Sequence, residues 1–415
     1  MDRWTRYGGA PPRPAPGWAL DTVCGPSQLW GANGIVAAAR RDPGRGAGAR
    51  AGGTDLYVTQ VFGSEVPCID ADSAELRAFA PLGSGVDAPD DGVFGHDGTF
   101  YATAPMLSTV TARRPDGSAR VLSDELVGVN GITADGEGRR LFADEFRPGG
   151  RLWELDPAGE RPPRLLLDEL ATPNALAVGP DRGLYFPLVL PGEIWRYDLD
   201  EGGARRAFGD LAQPTAVKFD SAGRLLTSEA GTGRVVRFDL STGAREVVAQ
   251  VAPGIDNLAL GADDRLFVSH FTDGRVAEVT PVGPGGTVGS ERVLSPSGFV
   301  GPFGLAALDG GEVLVADGLS LAVAGPGGVR RTHLLILDLP TLVVSAAVVA
   351  GAWWVIGARG QVFRCGEGRR PEPVLGHLAD PTALASDGAE GALLVERGAG
   401  RVLRLGPDGE VTGEV

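Results

Sequence analysis

Lysine, cysteine and long apolar runs are scarce in this chain of 415 residues, and each scarcity excludes a class of protein. Lys218 is the only lysine, and the acidic residues outnumber Lys and Arg by 53 to 38, which gives a formal net charge of −15. A surface of this sign repels phosphate backbones and anionic lipids, so we expect no nucleic-acid partner and no membrane surface. Cys24, Cys68 and Cys365 are far apart and odd in number, which argues against a disulfide framework and against a zinc site.

No segment has the apolar length that a membrane span requires. The most apolar stretch, residues 332–351, is interrupted by Asp338 and Pro340. Residues 1–18 are charged and Pro-rich and have no apolar centre of signal-peptide length. We therefore expect a soluble, cytoplasmic protein. The abundant residues are Gly (64) and Pro (31), which suit many short strands joined by tight turns.

One repeat of 37 to 46 residues runs through most of the chain. Its clearest copy is residues 130–157, NGITADGEGRRLFADEFRPGGRLWELDP, where three strand-length runs are separated by Gly and Asp or by Pro-Gly-Gly. A fourth run at Pro163–Leu170 completes a unit of four short antiparallel strands, which is typical of one β-propeller blade. Innermost strands are predicted to begin at nine places: Asn33, Asp91, Asn130, Asn174, Thr215, Asn257, Phe303, Ser345 and Thr382.

This pattern predicts an all-β fold, a single-ring β-propeller of about nine four-stranded modules over residues 33–415, with eight modules as the alternative. Residues 1–32 form a separate N-terminal segment, in which Trp18–Cys24 is predicted as a ring-closing strand. The chain also ends on its own predicted outer strand, EVTGEV.

Residues at the start of each innermost strand should meet at one mouth of the central channel. There the chain places amide and carboxylate oxygens, which are ligands suited to Ca²⁺ or, alternatively, Mg²⁺. Each Asn before Gly can also be explained as a turn residue. The predicted metal ligands are Asn33, Asp90, Asp91, Asn130 and Asn174.

Residues at the end of each second strand should open on the same face. Glu229, His270 and Asp317 end the second strands of three consecutive repeats, and together they could act as acid and base. The alternative is that they are solvated turn residues. Gln60 and Glu145 end two further second strands, and with Asn257 they are the predicted contacts to a small-molecule substrate.

The phrases NGITADGEGRRLFADE, PNALAVGPDRGLYF and PTAVKFDSAGRLLTSE resemble the SMP-30/gluconolactonase/strictosidine-synthase-like propellers, over roughly residues 30–280. The resemblance implies a lactonase or esterase whose calcium is held by a Glu, two Asn and an Asp from successive blades. By position, Asn33 replaces the Glu and Asp90 the first Asn. Asn130 matches the second Asn, and Asn174 replaces the Asp, which in the family is often also the base that activates water. Because calcium affinity depends on the charge of the ligands, these replacements predict a calcium site that is weaker than in the family, or absent.

The phrasing around residues 214–238 is also similar to that of streptogramin (virginiamycin B) lyases, propellers that open a cyclic ester by elimination with magnesium, Glu and His. That resemblance implies the same roles for Glu229 and His270. Three hypotheses follow: a metal-assisted hydrolase of a small cyclic ester, a lyase or cyclase acting on a small natural product, and a non-catalytic propeller that binds a ligand or partner.

Overall fold

The computed structural model describes residues 13–20, 27–41, 50–281, 290–388 and 391–415. Thirty-six strands in these residues form nine four-stranded antiparallel sheets, each built from four consecutive strands. The predicted all-β class and the nine four-stranded modules are confirmed.

The first three sheets follow the chain in order. Their strands are β1 (Ile35–Arg41), β2 (Arg50–Val58), β3 (Val66–Asp70), β4 (Leu76–Ala80); β5 (Gly92–Phe94), β6 (Phe100–Ala104), β7 (Thr109–Arg113), β8 (Ala119–Ser123); and β9 (Val129–Ala134), β10 (Leu141–Glu145), β11 (Pro148–Leu155), β12 (Arg164–Ala171).

The next three sheets repeat this order. Their strands are β13 (Ala177–Val178), β14 (Gly183–Leu188), β15 (Glu193–Asp198), β16 (Ala204–Phe208); β17 (Pro214–Phe219), β18 (Leu225–Glu229), β19 (Arg234–Phe238), β20 (Arg245–Gln250); and β21 (Ile255–Leu260), β22 (Leu266–His270), β23 (Val276–Val279), β24 (Glu291–Ser295).

The strand connections of the last three sheets contain two single turns of 3₁₀ helix, Asp309–Gly311 and Arg397–Ala399. Their strands are β25 (Gly304–Ala307), β26 (Val313–Ala316), β27 (Ser320–Gly325), β28 (Gly328–Leu334); β29 (Val343–Val349), β30 (Ala352–Gly357), β31 (Gln361–Gly366), β32 (Arg369–Leu375); and β33 (Pro381–Ser386), β34 (Ala392–Glu396), β35 (Arg401–Leu405), β36 (Val411–Glu414).

Burial falls from the second strand of a sheet to its fourth. All five residues of β6, β10, β18 and β22 are buried, whereas all five residues of β8 and of β16 are partly or fully exposed. A second strand lies inside its sheet, with neighbouring sheets packed on both faces. Each large apolar side chain buried there contributes about 1.5–3 kcal/mol.

The first six sheets close a ring within one compact unit, Leu29–Pro296, called the ring unit below. The innermost strands β1, β5, β9, β13, β17 and β21 contact one another in that order, and β21 returns to β1. Across the closure, the Ala32 N–H donates to the His270 carbonyl (3.2 Å) and the Ser269 hydroxyl donates to the Asn33 carbonyl (2.5 Å).

The ring thus closes after six sheets, where a single ring of nine was predicted. The sequence repeat predicts the number of sheets. It does not predict which two sheets meet when the ring closes. That depends on side chains such as Arg265, which reaches from the sixth sheet to the Asp72 carboxylate (2.8 Å) and the Ala71 carbonyl (3.2 Å) of the first.

The remaining three sheets belong to a second compact unit, Ser297–Val415 together with Met1–Gln28, called the three-sheet unit. Its innermost strands contact in the order β25, β29, β33. The predicted terminal outer strand is present as β36. Of the predicted ring-closing strand, residues 18–20 form no strand, and Cys24 lies outside the described residues.

Cys68 and Cys365 are buried and free, as expected of cysteines outside a disulfide framework. The described part of the chain contains no helix long and apolar enough to cross a membrane.

Two glycines allow the innermost strands of the ring unit to approach each other. A Cβ on Gly34 would lie 2.6 Å from Asp91 Oδ1, and one on Gly131 would lie 2.7 Å from both the Ala175 nitrogen and Asp144 Oδ2. Neither glycine has a positive φ. The Asn-Gly pairs therefore mark close strand contacts at the channel, and the left-handed turn that was the alternative explanation is absent.

Candidate functional site

Two carboxyl groups from different sheets meet at the mouth of the ring-unit channel. Asp90 precedes β5 and Asp256 lies in β21, and both accept a hydrogen bond from the single Nδ2 atom of Asn33, at 3.3 and 3.2 Å. The two accepting oxygens are therefore within about 6.5 Å of each other. Both residues are only partly buried, so this carboxyl pair can be reached from solvent.

The orientation of the Asn33 amide is fixed by its other end. Asn33 Oδ1 accepts the Val61 backbone N–H at 3.3 Å, and because a backbone N–H can only donate, the amide nitrogen must face the two carboxyl groups. The side chain of Asn130 also lies near Asp90 and lowers its pKa. Asn130 Oδ1 is buried and has no hydrogen-bond partner in the described residues.

A second polar layer lies beneath this pair. Asp91 is turned inward, where its carboxylate accepts Asn257 Nδ2 at 3.3 Å and the Ile132 N–H at 3.2 Å. Asn257 Oδ1 accepts the Leu258 N–H at 2.8 Å, and Asn174 Oδ1 accepts the Ala175 N–H at 2.7 Å. The amide oxygens of this layer are therefore used by the backbone.

Asp144 is the fourth acid near the channel and is fully buried. Its Oδ1 accepts the Gly131 N–H at 3.1 Å, while its Oδ2 has no hydrogen-bond partner in the described residues. Asp144 is the penultimate residue of a second-strand segment. Four of the other five sheets of the ring unit carry a hydroxyl at this position: Thr59, Thr103, Ser228 and Ser269.

Burial raises the pKa of all four acids. Although Asp90 and Asp256 are partly exposed, the surrounding walls exclude enough water to raise the pKa of Asp256 to about 7, against a hydrogen bond from Asn33 that lowers it. The pKa of Asp90 is also raised well above its ordinary value, by burial and by repulsion from Asp256. The pKa of Asp144 also rises to about 7, mainly through burial. Burial raises the pKa of Asp91 as well, opposed by Lys218.

The predicted calcium ligands do not fit a calcium site. Asn33, Asp91 and Asn174 have their oxygen atoms engaged with N–H donors, and Asn33 presents a nitrogen to the carboxyl pair. That leaves Asp90 and Asn130, whereas Ca²⁺ takes about six to eight oxygen ligands. Among the described residues, no three His, Cys, Asp or Glu side chains are placed to hold a metal ion.

The predicted acid–base residues Glu229 and Asp317 lie in different units, and their carboxylates accept backbone N–H groups. Glu229 accepts the Ala212 N–H (3.1 Å) and the Thr232 hydroxyl (2.6 Å). Asp317 accepts the N–H groups of Val300 (3.2 Å) and Gly301 (2.8 Å).

The same arrangement recurs in two further sheets. Gln60 Oε1 accepts the Trp30 N–H at 2.5 Å, and Glu396 accepts the Ala379 N–H at 2.7 Å. In each case the end of a second strand is tied to the segment that leads into the same sheet. We call these acceptors bracing residues, namely Gln60, Glu229, Asp317 and Glu396.

Glu145 and His270 are the last residues of the second strands β10 and β22, and both are buried. Glu145 accepts Arg147 Nε (3.0 Å) and Trp153 Nε1 (3.0 Å) from its own sheet. His270 is 1% exposed, and its backbone carbonyl takes part in ring closure. The structure therefore brings Asn33, Asp90, Asn130 and Asp256 together. The side chains of the other predicted residues at second-strand ends bond within their own sheets, namely Gln60, Glu145, Glu229 and Asp317.

Asp256 and Asp144 are not among the predicted site residues. Asp256 precedes Asn257, the residue that aligned with the other strand starts, and a bulge in the β21–β22 register turns it toward Asn33. Asp144 could have been found by comparing second strands, since it is an acid where the other sheets of the ring unit carry a hydroxyl or, once, proline.

A sequence model described as "SMP-30/Gluconolactonase/LRE-like region" matches residues 27–272, which is more than half of the chain. All but the first two of these residues belong to the ring unit. No curated relative matches the sequence.

Three solved structures are similar at low identity. A gluconolactonase from Xanthomonas campestris is 18% identical, with 60% of this chain and 86% of that one covered and a TM-score of 0.48. A calcium-binding regucalcin from Agrobacterium tumefaciens is 18% identical, with 59% and 83% covered and a TM-score of 0.45. A virginiamycin B lyase from Staphylococcus aureus is 14% identical, with 74% and 91% covered and a TM-score of 0.38. These values carry no argument about activity.

Proposed function

Because the chain belongs to the SMP-30/gluconolactonase/LRE-like family, we propose that it hydrolyses a small cyclic ester, of the lactone type, at the mouth of the ring-unit channel. The observation that carries the proposal is the pair of carboxyl groups, Asp90 and Asp256, held on one amide nitrogen at a position open to solvent. Two neighbouring carboxyl groups cannot both ionise easily, so one keeps its proton while the other acts as a base.

We assign the role of base to Asp256 and the role of acid to Asp90. Asp256, with a pKa of about 7, is ionised in half of the molecules at neutral pH and takes a proton from the water that attacks the ester carbonyl. Asp90, whose pKa is held well above its ordinary value by burial and by the neighbouring Asp256, is the proposed acid and donates its proton to the ring oxygen as the C–O bond breaks. The product is a hydroxy acid, and exchange of one proton between the two carboxyl groups resets the pair.

The proposal does not use calcium or magnesium, because two of the four ligands that the resemblance implies, Asn33 and Asn174, have their oxygen atoms engaged with N–H donors. The Asn33 amide occupies the space between the two carboxyl groups, where a cation would have to lie, and satisfies one oxygen of each. We propose that hydrolysis here uses the chain's own acid and base.

The test is a panel of lactones and esters assayed in ¹⁸O-labelled water, with the Asp90→Asn variant as the matched control. We expect ring-opened product carrying one labelled oxygen, and strongly reduced turnover in the variant. Ring opening without label would assign elimination, the lyase hypothesis, in place of hydrolysis. No turnover of any panel member would favour the binding-only propeller.

A further inference from the structure

The other end of the ring-unit channel holds a cavity that the proposed hydrolysis does not use. Its volume is about 300 Å³, and every one of the six innermost strands contributes to its wall. The lining residues follow the mouth residues along each strand and are almost all apolar, with Val36, Val93, Val178 and Leu260 as examples. Lys218 is its one charged lining residue.

Lys218 reaches this cavity without a partner of its own. The ammonium forms no ion pair or hydrogen bond with any residue that the structure describes. The nearest acids lie toward the mouth and already have donors, since Asp91 accepts Asn257 and the Ile132 N–H, and Asp144 accepts the Gly131 N–H. Lys218 thus acts on Asp91 and Asp144 only through space.

Lys218 is partly buried, and its ammonium is the one charged group among the otherwise almost entirely apolar walls of the cavity, so an anion that enters gains a charge-assisted contact there. A carboxylate supplies that anion, and a hydrocarbon tail would contact Val36, Val93 and Leu260. The volume lies at the lower end of the range of ligand pockets, which limits the tail to a few carbons. Charge and wall together select a small monocarboxylate over a neutral molecule or a polyanion.

A route to solvent exists on the same side. An open cavity of about 640 Å³ shares Ala134, Val178 and Phe219 with the channel cavity. It continues between strand-connecting loops to the paired side chains of Arg224 and Asp220 (2.7 Å). A ligand can therefore enter without passing the carboxyl pair at the mouth.

We propose that the channel cavity is a binding site for a small monocarboxylate with a short apolar tail, with the carboxylate on the Lys218 ammonium and the tail against the strand walls. This site is separate from the hydrolytic mouth, and its test does not depend on turnover.

The single lysine makes a direct test possible. Reductive ¹³C-methylation of the whole protein labels Lys218 and the α-amino group, so the NMR spectrum contains one side-chain signal and one internal reference. Titration with hexanoate should shift the Lys218 signal saturably at millimolar concentrations and leave the reference signal in place. Hexanamide, which has the same tail without the charge, should shift neither signal.

Calorimetry on unlabelled protein supplies the matched variants. Lys218→Met should weaken hexanoate binding at least tenfold, while Lys218→Arg, which keeps the charge, should bind hexanoate measurably. The proposal is overturned if hexanoate causes no saturable shift, if hexanamide binds equally well, or if Lys218→Met binds hexanoate as the unchanged protein does. Should Lys218→Met fail to fold, the NMR titration and Lys218→Arg still decide the question.

Discussion

The ring unit and the three-sheet unit are built from the same four-stranded repeat, but they differ in the polarity of two positions. In the ring unit the penultimate second-strand position carries Thr, Ser or Asp in five of six sheets, whereas the three-sheet unit has Ala316, Ile356 and Val395. Where the ring unit places Asp90 and Asp256 at the starts of innermost strands, the three-sheet unit has the exposed Phe303 at the first of its own.

The bracing residues, in contrast, are found in both units. Glu229 in the ring unit and Asp317 and Glu396 in the three-sheet unit all accept a backbone N–H from the segment that leads into their sheet. A feature shared by both units belongs to the construction of a sheet. A feature confined to the ring unit is a candidate for function, and this distinction separates the carboxyl pair from the buried acids at strand ends.

The largest expected difference between the units is catalytic. Replacing Asp256 by Asn in the ring unit should lower kcat/KM by about 10²–10⁴-fold, because an amide cannot take a proton from water. The matched change in the three-sheet unit, Asp317→Asn, should leave kcat/KM within about threefold, since the Asn oxygen can still accept a backbone N–H. Steady-state kinetics on an active lactone compares them, and equal losses would erase the distinction.

The pH dependence of the ring unit should follow its base. Asp256 is active when ionised and has a pKa of about 7, so kcat/KM should rise about tenfold per pH unit below pH 7 and level off above it. A profile that is flat between pH 5 and 8 would contradict the assigned role.

The raised pKa values also predict how stability changes with pH. Asp144 and Asp256 hold a proton in the folded state that they lose when unfolded, between their ordinary pKa of 3.8 and about 7. This contribution is fully present below pH 3.8 and is lost as the pH rises through about 7. Urea unfolding of Asp144→Asn, which cannot ionise, should show a weaker loss of stability from pH 5 to 8 than the unchanged protein.

Replacing glycine by alanine should destabilise the fold more at a close strand contact than at an open position. Gly131→Ala in the ring unit should destabilise the fold by about 1–3 kcal/mol, because its Cβ would lie 2.7 Å from Ala175 N and Asp144 Oδ2. Gly413→Ala in the three-sheet unit, where nothing lies within 4 Å, should change stability by less than about 0.5 kcal/mol. Denaturant midpoints measure both effects, and similar shifts would refute the contact argument.

The smallest expected effect is a gain in thermal stability on calcium binding. Asn33→Asp replaces the amide nitrogen between Asp90 and Asp256 by an oxygen, so millimolar Ca²⁺ should raise the Tm of this variant by about 2–4 °C. The unchanged protein should not respond, and neither should Asn174→Asp, which adds the same charge where an oxygen already faces its own backbone. A calcium response in the unchanged protein would show that the Asn33 amide does not replace the ion.

The fold was predictable because the local sequence of each repeat specifies its strands and turns. Alternating runs and Gly-rich turns, as in residues 130–157, specify strands and their order without long-range information. Closure of the ring was not predictable, because it depends on contacts such as Asn33 with Asp256, which are 223 residues apart.

The site was predictable in part for the same reason. Asn33, Asp90 and Asn130 lie at strand starts, and the repeat places strand starts at one mouth. The sequence does not show the direction of a hydrogen bond, so it predicts Asn33 as an oxygen ligand, although Asn33 presents its nitrogen to the carboxyl pair. Glu229 and Asp317 end second strands as predicted, but the sequence does not show that a backbone N–H from the preceding segment satisfies each of them.

The central claim is that the carboxyl pair of the ring unit, and not a divalent ion, supplies the chemistry. Its most direct test is turnover of the lactone and ester panel by protein dialysed against a chelator, compared with the Asp90→Asn, Asp256→Asn double variant. We predict that turnover survives the chelator and falls by at least a hundredfold in the double variant. Turnover that disappears with the chelator and returns with Ca²⁺ or Mg²⁺, or that persists without the pair, would contradict the claim.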